Sequence, residues 1–135
     1  MNDPLREVLE RDGRYAREAY QFLFDSLETA VELAGRQSAP GAGKHVTGQE
    51  LLQGMRQHAL DLFGPLGARV WRSWGVHSTM DWGRIVFILV ESEMLKRQDS
   101  DTLEDFRDGF DLDEVFAAYR PKLPTELGQS PTEED

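Results

Sequence analysis

The sequence predicts a mostly α-helical protein: a compact domain of about five helices, with a small β-hairpin that gives its C-terminal half a winged-helix-like arrangement. Three observations predict it. Between Tyr15 and Ala34, two complementary stripes, one apolar and one charged, recur at alternating steps of four and three. At Thr47–Glu50, "TGQE" is a capping box set directly before an apolar-periodic run. Beyond Ser78 and Thr79, "MDWGRIVFILVESEML" presents an apolar surface too broad for an outer helix.

The first helix is read over Tyr15–Ala34. Ala16, Tyr20, Leu23, Leu27, Ala30 and Ala34 form its dry stripe, Phe22 and Phe24 widen it, and Gly35 is its stop. "GRQSAPGAGKH" then breaks the pattern as a loop rich in Gly, Pro and Ser. It is similar to a phosphate loop but fails as one: Ser38 stands where the leading glycine belongs, His45 replaces the magnesium-binding hydroxyl, and a helix rather than a strand precedes it. The second helix follows Thr47, with Leu51, Leu52, Met55, Ala59, Leu62 and Phe63 on its apolar face. Gly64-Pro65 ends it and begins a short third helix, with Leu66, Val70, Trp71 and Trp74 inward and Arg69 and Arg72 outward, up to Gly75.

Ser78 or Thr79 caps the fourth helix, and Asp81 in its first turn suits the positive end of the helix dipole. Asp81, Arg84, Glu91 and Ser92 share one face, Ile88 falls inside that face, and Trp82, Ile85, Val86, Leu89 and Val90 cover much of the rest. This segment, Ser78–Leu95, is expected to be the interior helix around which the others close. The hairpin is read from Leu95–Gln98 and Thr102–Phe106 pairing across "DSD". A last short helix over "DLDEVFAAY" turns Leu112, Val115, Phe116 and Tyr119 inward. These elements form a single domain over residues 1–120, with a flexible internal loop at 36–46 and an acidic, disordered tail at 121–135.

Composition narrows the function. The chain has 135 residues and no cysteine, which excludes disulfides and thiolate chemistry and removes the usual zinc ligand sets. Its charged N-terminus lacks the apolar core of a signal peptide, and its longest apolar run, Ile85–Val90, is far too short to span a bilayer, so a cytoplasmic protein with no membrane partner is expected. With 15 basic against 25 acidic residues the formal net charge is −10, which works against nucleic acid as a partner. The charge is uneven. Lys44–Val76 holds four bases against two acids, whereas Gln98–Glu114 holds one arginine against eight acids. Such polarity serves partner choice more than fold.

"RYAREAYQFL", "HVTGQELLQGMRQHALDLFGPLGARVWRSWGV", "STMDWGRIVFILVE" and "DFRDGFDLDEVF" resemble, in that order, a family of short uncharacterised bacterial proteins, over about Arg14 to Tyr119. The resemblance implies no activity and transfers no catalytic residue. This chain departs from the family at Ile88, where a polar residue is commoner, and at Glu93-Met94, where Gly-Leu is.

Constellations for chemistry are weak. His45, His58 and His77 lie in separate segments with no metal-binding spacing. Asp99 and Asp101 begin an EF-hand-like loop, but Leu103 and Glu104 stand where a ligand and a glycine belong. Ser73, Ser78 and Thr79 lie near His77 without a nucleophile-elbow motif. No catalytic residue, metal site or cofactor is therefore expected. Trp71, Trp74 and Trp82 are first of all core material. If one indole stays partly exposed beside Arg69 and Arg72, they make an aromatic-plus-arginine patch of the kind enriched at binding hot spots. The function expected is a non-enzymatic, cytoplasmic protein–protein interaction or adaptor module, with an unidentified protein as partner and Arg69, Arg72, Trp71, Trp74 and Trp82 as its contact residues. Two alternatives stand beside it: a winged-helix nucleic-acid-binding regulator with Ser78–Met94 as recognition helix, and a small-ligand protein with a tryptophan-lined pocket.

Overall fold

A computed structural model describes residues 4–35, 47–95, 103–107 and 109–120. The loop read at 36–46, most of the hairpin (residues 96–102) and the tail at 121–135 lie outside the described residues. The protein is mostly helical. In chain order the α-helices are α1 (Pro4–Arg11), α2 (Arg17–Leu33), α3 (Gly48–Phe63), α4 (Gly67–Ser73), α5 (Thr79–Glu91) and α6 (Leu112–Ala117), with 3-10 turns at Gly64–Leu66 and Leu103–Phe106.

Helix α1 is an addition to the sequence reading. Its signal is short: Leu5 and Val8 are buried and Leu9 packs against the core, a single turn of apolar spacing hidden among charges. Helix α2 forms where expected and buries Tyr20, Leu23 and Ala30 of the predicted stripe, but its buried face also takes in Ala19, Phe22 and Ser26, so Phe22 is central rather than marginal. Ser26 is tolerated there because its hydroxyl donates to the Phe22 carbonyl 2.8 Å away. Gly35, at φ +73°, follows the helix as its stop.

Helix α3 begins at the predicted box. The Glu50 N–H donates to Thr47 Oγ1 at 3.1 Å, and the Thr47 N–H to Glu50 Oε1 at 2.9 Å. Among the described residues, helices α2 and α3 make the most extensive pairing. They approach closely because Gly54 faces Ala30: a Cβ at Gly54 would stand 2.6 Å from that of Ala30. Gly64, at φ +53°, turns the chain under the Tyr119 ring into the 3-10 turn, with Pro65 at its start. Helix α4 ends at Gly75, at φ +95°, and there the Ala16 N–H donates to the Trp74 carbonyl at 3.0 Å, joining the start of α2 to the end of α4.

Helix α5 is the interior helix that the sequence predicts. Asp81, Trp82, Gly83, Ile85 and Leu89 are buried, and the open positions are Arg84, Phe87 and Glu91. It ends four residues earlier than expected, in a turn where the Met94 N–H reaches the Leu89 carbonyl and the Glu93 N–H that of Val90. Its capping is also different. Ser78 occupies the cap position without a side-chain capping bond. Thr79 turns inward instead: its hydroxyl donates to the Phe106 carbonyl at 2.6 Å and accepts from the Gly109 N–H at 3.0 Å.

That attachment bears on the hairpin. Among the described residues there is no strand, and Leu103–Phe106, read as part of the second arm, is a 3-10 turn. The Phe106 carbonyl is taken by Thr79, and the Phe106 side chain is wedged between Gly48 and Gly83, where a Cβ on either glycine would come within 2.8 Å of it. A residue fixed this way serves the core and not a ladder. Helix α6 closes the far side. Asp111 Oδ1 caps it by accepting from the Glu114 N–H at 2.9 Å, and Leu112 and Phe116 are buried, the Phe116 ring lying flush against Gly67.

Candidate functional site

The five residues of the sequence-predicted patch separate into three groups. Trp71 and Trp82 are fully buried. Their rings meet edge to face at 5.1 Å, Trp71 meets Phe116 in the same way at 5.2 Å, and Phe22 lies 5.9 Å from Trp71 and 5.8 Å from Trp82. Edge-to-face contacts of this kind are worth about 0.5–1.5 kcal/mol each beyond the area they bury. Neither indole N–H finds a hydrogen-bond acceptor among the described residues, a cost that the buried ring contacts must offset.

Trp74 is the half-exposed indole that the patch calls for. It lies 5.4 Å from Phe22 and meets Phe63 edge to face at 5.9 Å. Arg72 does not join it. Two residues apart on a helix are about 200° apart around its axis, and Arg72 points the other way, with its Nη1 2.9 Å from Asp113 at the head of α6. Arg69 is exposed. The aromatic-plus-arginine patch is therefore divided between two sides of α4.

What gathers on the Trp74 side is apolar. Leu62 and Leu66, expected inward, are 58% and 55% exposed. Both sit where α3 runs out and the chain bends through Gly64-Pro65 into α4, so their periodic face overshoots the neighbouring helix. Four residues apart on adjoining turns, they are followed by half-buried Val70 with Arg69 beside it, and Leu62 is next to Phe63, the ring that touches Trp74. His58, one turn back on α3, lies 4.9 Å from the Phe22 ring. The α3–α4 corner thus presents leucines and the Phe63–Trp74 pair, with exposed Asp61 next to Leu62 and exposed Arg69 one turn past Leu66. Large exposed apolar residues placed together, with an aromatic and an arginine, have the composition of a contact surface.

Around Asp81 the polar groups form a hub. Asp81, nearly buried, accepts from the Tyr15 hydroxyl at 2.6 Å, the His77 N–H at 2.8 Å and Arg84 Nη1 at 2.8 Å. Burial pushes this carboxyl up, but the bonds from Tyr15, His77 and Arg84 outweigh it and hold it below its ordinary value. Burial, then Asp81, raises the Tyr15 hydroxyl, and burial lifts Tyr20 to about 12. The hub joins the start of α2, the α4–α5 link and α5. Its geometry is that of a tie: every Asp81 bond goes to the protein itself.

Among the described residues no group of three His, Asp or Glu side chains lies close enough to hold a metal ion, and no helix is long and apolar enough to cross a membrane. A scan against protein-family models finds no match, and no curated protein and no solved structure matches the chain either.

Proposed function

We propose that the chain is a non-enzymatic interaction module of the cytoplasm that docks another protein on its α3–α4 corner. The observation that carries this is the exposure of Leu62 and Leu66, 58% and 55%, on the two sides of one bend beside the half-buried Phe63–Trp74 pair. Burying an exposed leucine side chain against a partner is worth roughly 1.5–3 kcal/mol when complete, and aromatic and arginine neighbours supply the remainder of a hot spot. The partner segment that fits is amphipathic and acidic. Its apolar side chains would meet the two leucines, and its carboxylates would meet a stretch, Lys44–Val76, in which four bases stand against two acids, Arg69 among them.

The test places a photo-crosslinking residue at position 66 in cells, with position 28 on the exposed side of α2 as control. A discrete protein adduct is expected at 66 and not at 28, with an acidic, apolar crosslinked peptide. Leu62→Glu or Arg69→Glu in the same chain should lower its yield about tenfold. Equal adducts at both positions, or a basic crosslinked peptide, would overturn the reading.

The other two readings find less support. The open positions of α5 are Arg84, Phe87 and Glu91, a poor set for phosphates or base edges, and most of that helix is interior. A tryptophan-lined pocket would need indoles at a cavity wall, whereas Trp71 and Trp82 are enclosed by other rings.

A further inference from the structure

Apart from the corner, the molecule has a cleft of about 640 Å3 at the head of α5, between α4, the 103–107 turn and the start of α6. That size suits a small ligand. Arg72 comes to it from α4, Arg84 from α5 and Arg107 from the turn. Met80, Phe110 and Leu112 supply an apolar wall beside them. We propose that this cleft is a binding site for a phosphoryl group carried on a small organic ester.

Four carboxylates stand near these guanidiniums, and their roles decide whether an anion can enter. Asp81 holds Arg84 through the buried hub, a fixed pair. Asp111 is occupied as the cap of α6. The other two pairs are open to water: Arg72–Asp113 has side chains 40% and 73% exposed, and Arg107–Glu104 has 59% and 70%. An exposed single-contact pair such as Arg72–Asp113 contributes about 0–1 kcal/mol, so an incoming oxyanion can exchange with it; Arg107 is forked on both Glu104 oxygens through Nε and Nη2, so there the oxyanion must compete with a bidentate pair. A guanidinium has five N–H donors; Arg72 uses one on Asp113 through Nη1. A phosphoryl group, with three acceptor oxygens, needs this many donors. The head of α5 adds N–H groups not taken up by the Ser78 side chain, though the guanidiniums carry the site. The apolar wall selects an ester over the free ion. This site is independent of the corner: Arg72 and Leu66 lie on different sides of α4.

The experiment is a backbone and arginine-Nε NMR titration of the whole chain with inorganic phosphate, phenyl phosphate and duplex DNA, at matched ionic strength. Saturable shifts are expected at Arg72, Ser78–Met80 and Arg107 with both phosphates. Phenyl phosphate is expected to bind more tightly than inorganic phosphate, because only the ester reaches the apolar wall; equal or weaker binding of the ester would overturn the proposal. Arg72→Gln and Arg107→Gln break only exposed pairs, so the fold should survive, and each should weaken binding about tenfold, while Arg69→Gln leaves it unchanged. No saturable shift, shifts indifferent to the two variants, or tighter binding of DNA than of either phosphate at the same amides would overturn the site. Loss of the corner's crosslink would leave these results untouched.

Discussion

Asp81 sits in the first turn of α5, where its charge suits the helix dipole, and the sequence reading placed it on a wetted face with Arg84 and Glu91. It lies instead under Tyr15 and the His77 N–H, because a carboxylate that accepts three bonds can be taken out of water. Tyr15→Phe should therefore cost about 1.5–3 kcal/mol in urea denaturation at pH 7, the range for hydrogen bonds to charged groups. Arg84→Gln, which leaves Tyr15 and His77 in place, should cost less. Glu93 poses the opposite case. It holds φ +61° at the turn that ends α5, a conformation costing an L-residue roughly 1–2 kcal/mol. Glu93→Gly should raise stability by about 0.5–1 kcal/mol, or about 2–4 °C in melting temperature. Glu93→Ala removes the same charge but keeps the strain, so a comparable gain in that variant would assign the effect to electrostatics.

The helices themselves were legible wherever periodicity and caps agreed. Thr47–Glu50 and Gly35 stand where the sequence puts them, and Ser78 precedes α5, because these signals are local. What was hidden depends on neighbours. Gly54, Gly67 and Gly83 interrupt helical patterns, and an isolated helical glycine is itself a signal of close packing; here they face Ala30, Phe116 and Phe106. The wedge of Phe106 between Gly48 and Gly83 also explains why the second hairpin arm is a 3-10 turn. Gly67→Ala should cost about 1–3 kcal/mol by overpacking against the Phe116 ring. Phe116→Leu in the same chain should recover part of that cost, and a double-mutant cycle by urea denaturation measures the coupling. Strictly additive losses would mean that the strain is relieved elsewhere. For the candidate site, the separation of Arg72 from Trp74 follows from their two-residue spacing on a helix and was readable. The exposure of Leu62 and Leu66 was not, since it depends on how far the end of α3 extends past α2.

For the molecule as a whole, charge and hub act against each other along the pH axis. At pH 7 the chain carries a formal net charge of −10, and its self-repulsion opposes the compact state. Lowering the pH toward 5 protonates some of the exposed carboxylates and relieves that repulsion. Asp81 is unaffected in this interval, because its folded pKa lies below its ordinary value. Its contribution is fully present above the unfolded value and is lost only as the pH falls through the depressed folded one. On the alkaline side the sign reverses. Tyr20 is pushed up to about 12, so its buried neutral form contributes below the unfolded value near 10, and that contribution is lost between the two. Stability should therefore be greatest at about pH 5–6, fall below about pH 4, and fall again above about pH 10. At pH 7, about 0.5 M sodium chloride should raise the melting temperature by screening, and at pH 5 the same salt should do much less. Circular-dichroism melts across pH at two salt concentrations decide it. A salt effect as large at pH 5 as at pH 7 would mean that self-repulsion is not what salt relieves, and an acid midpoint unchanged in Tyr15→Phe would remove Asp81 from the acid limb.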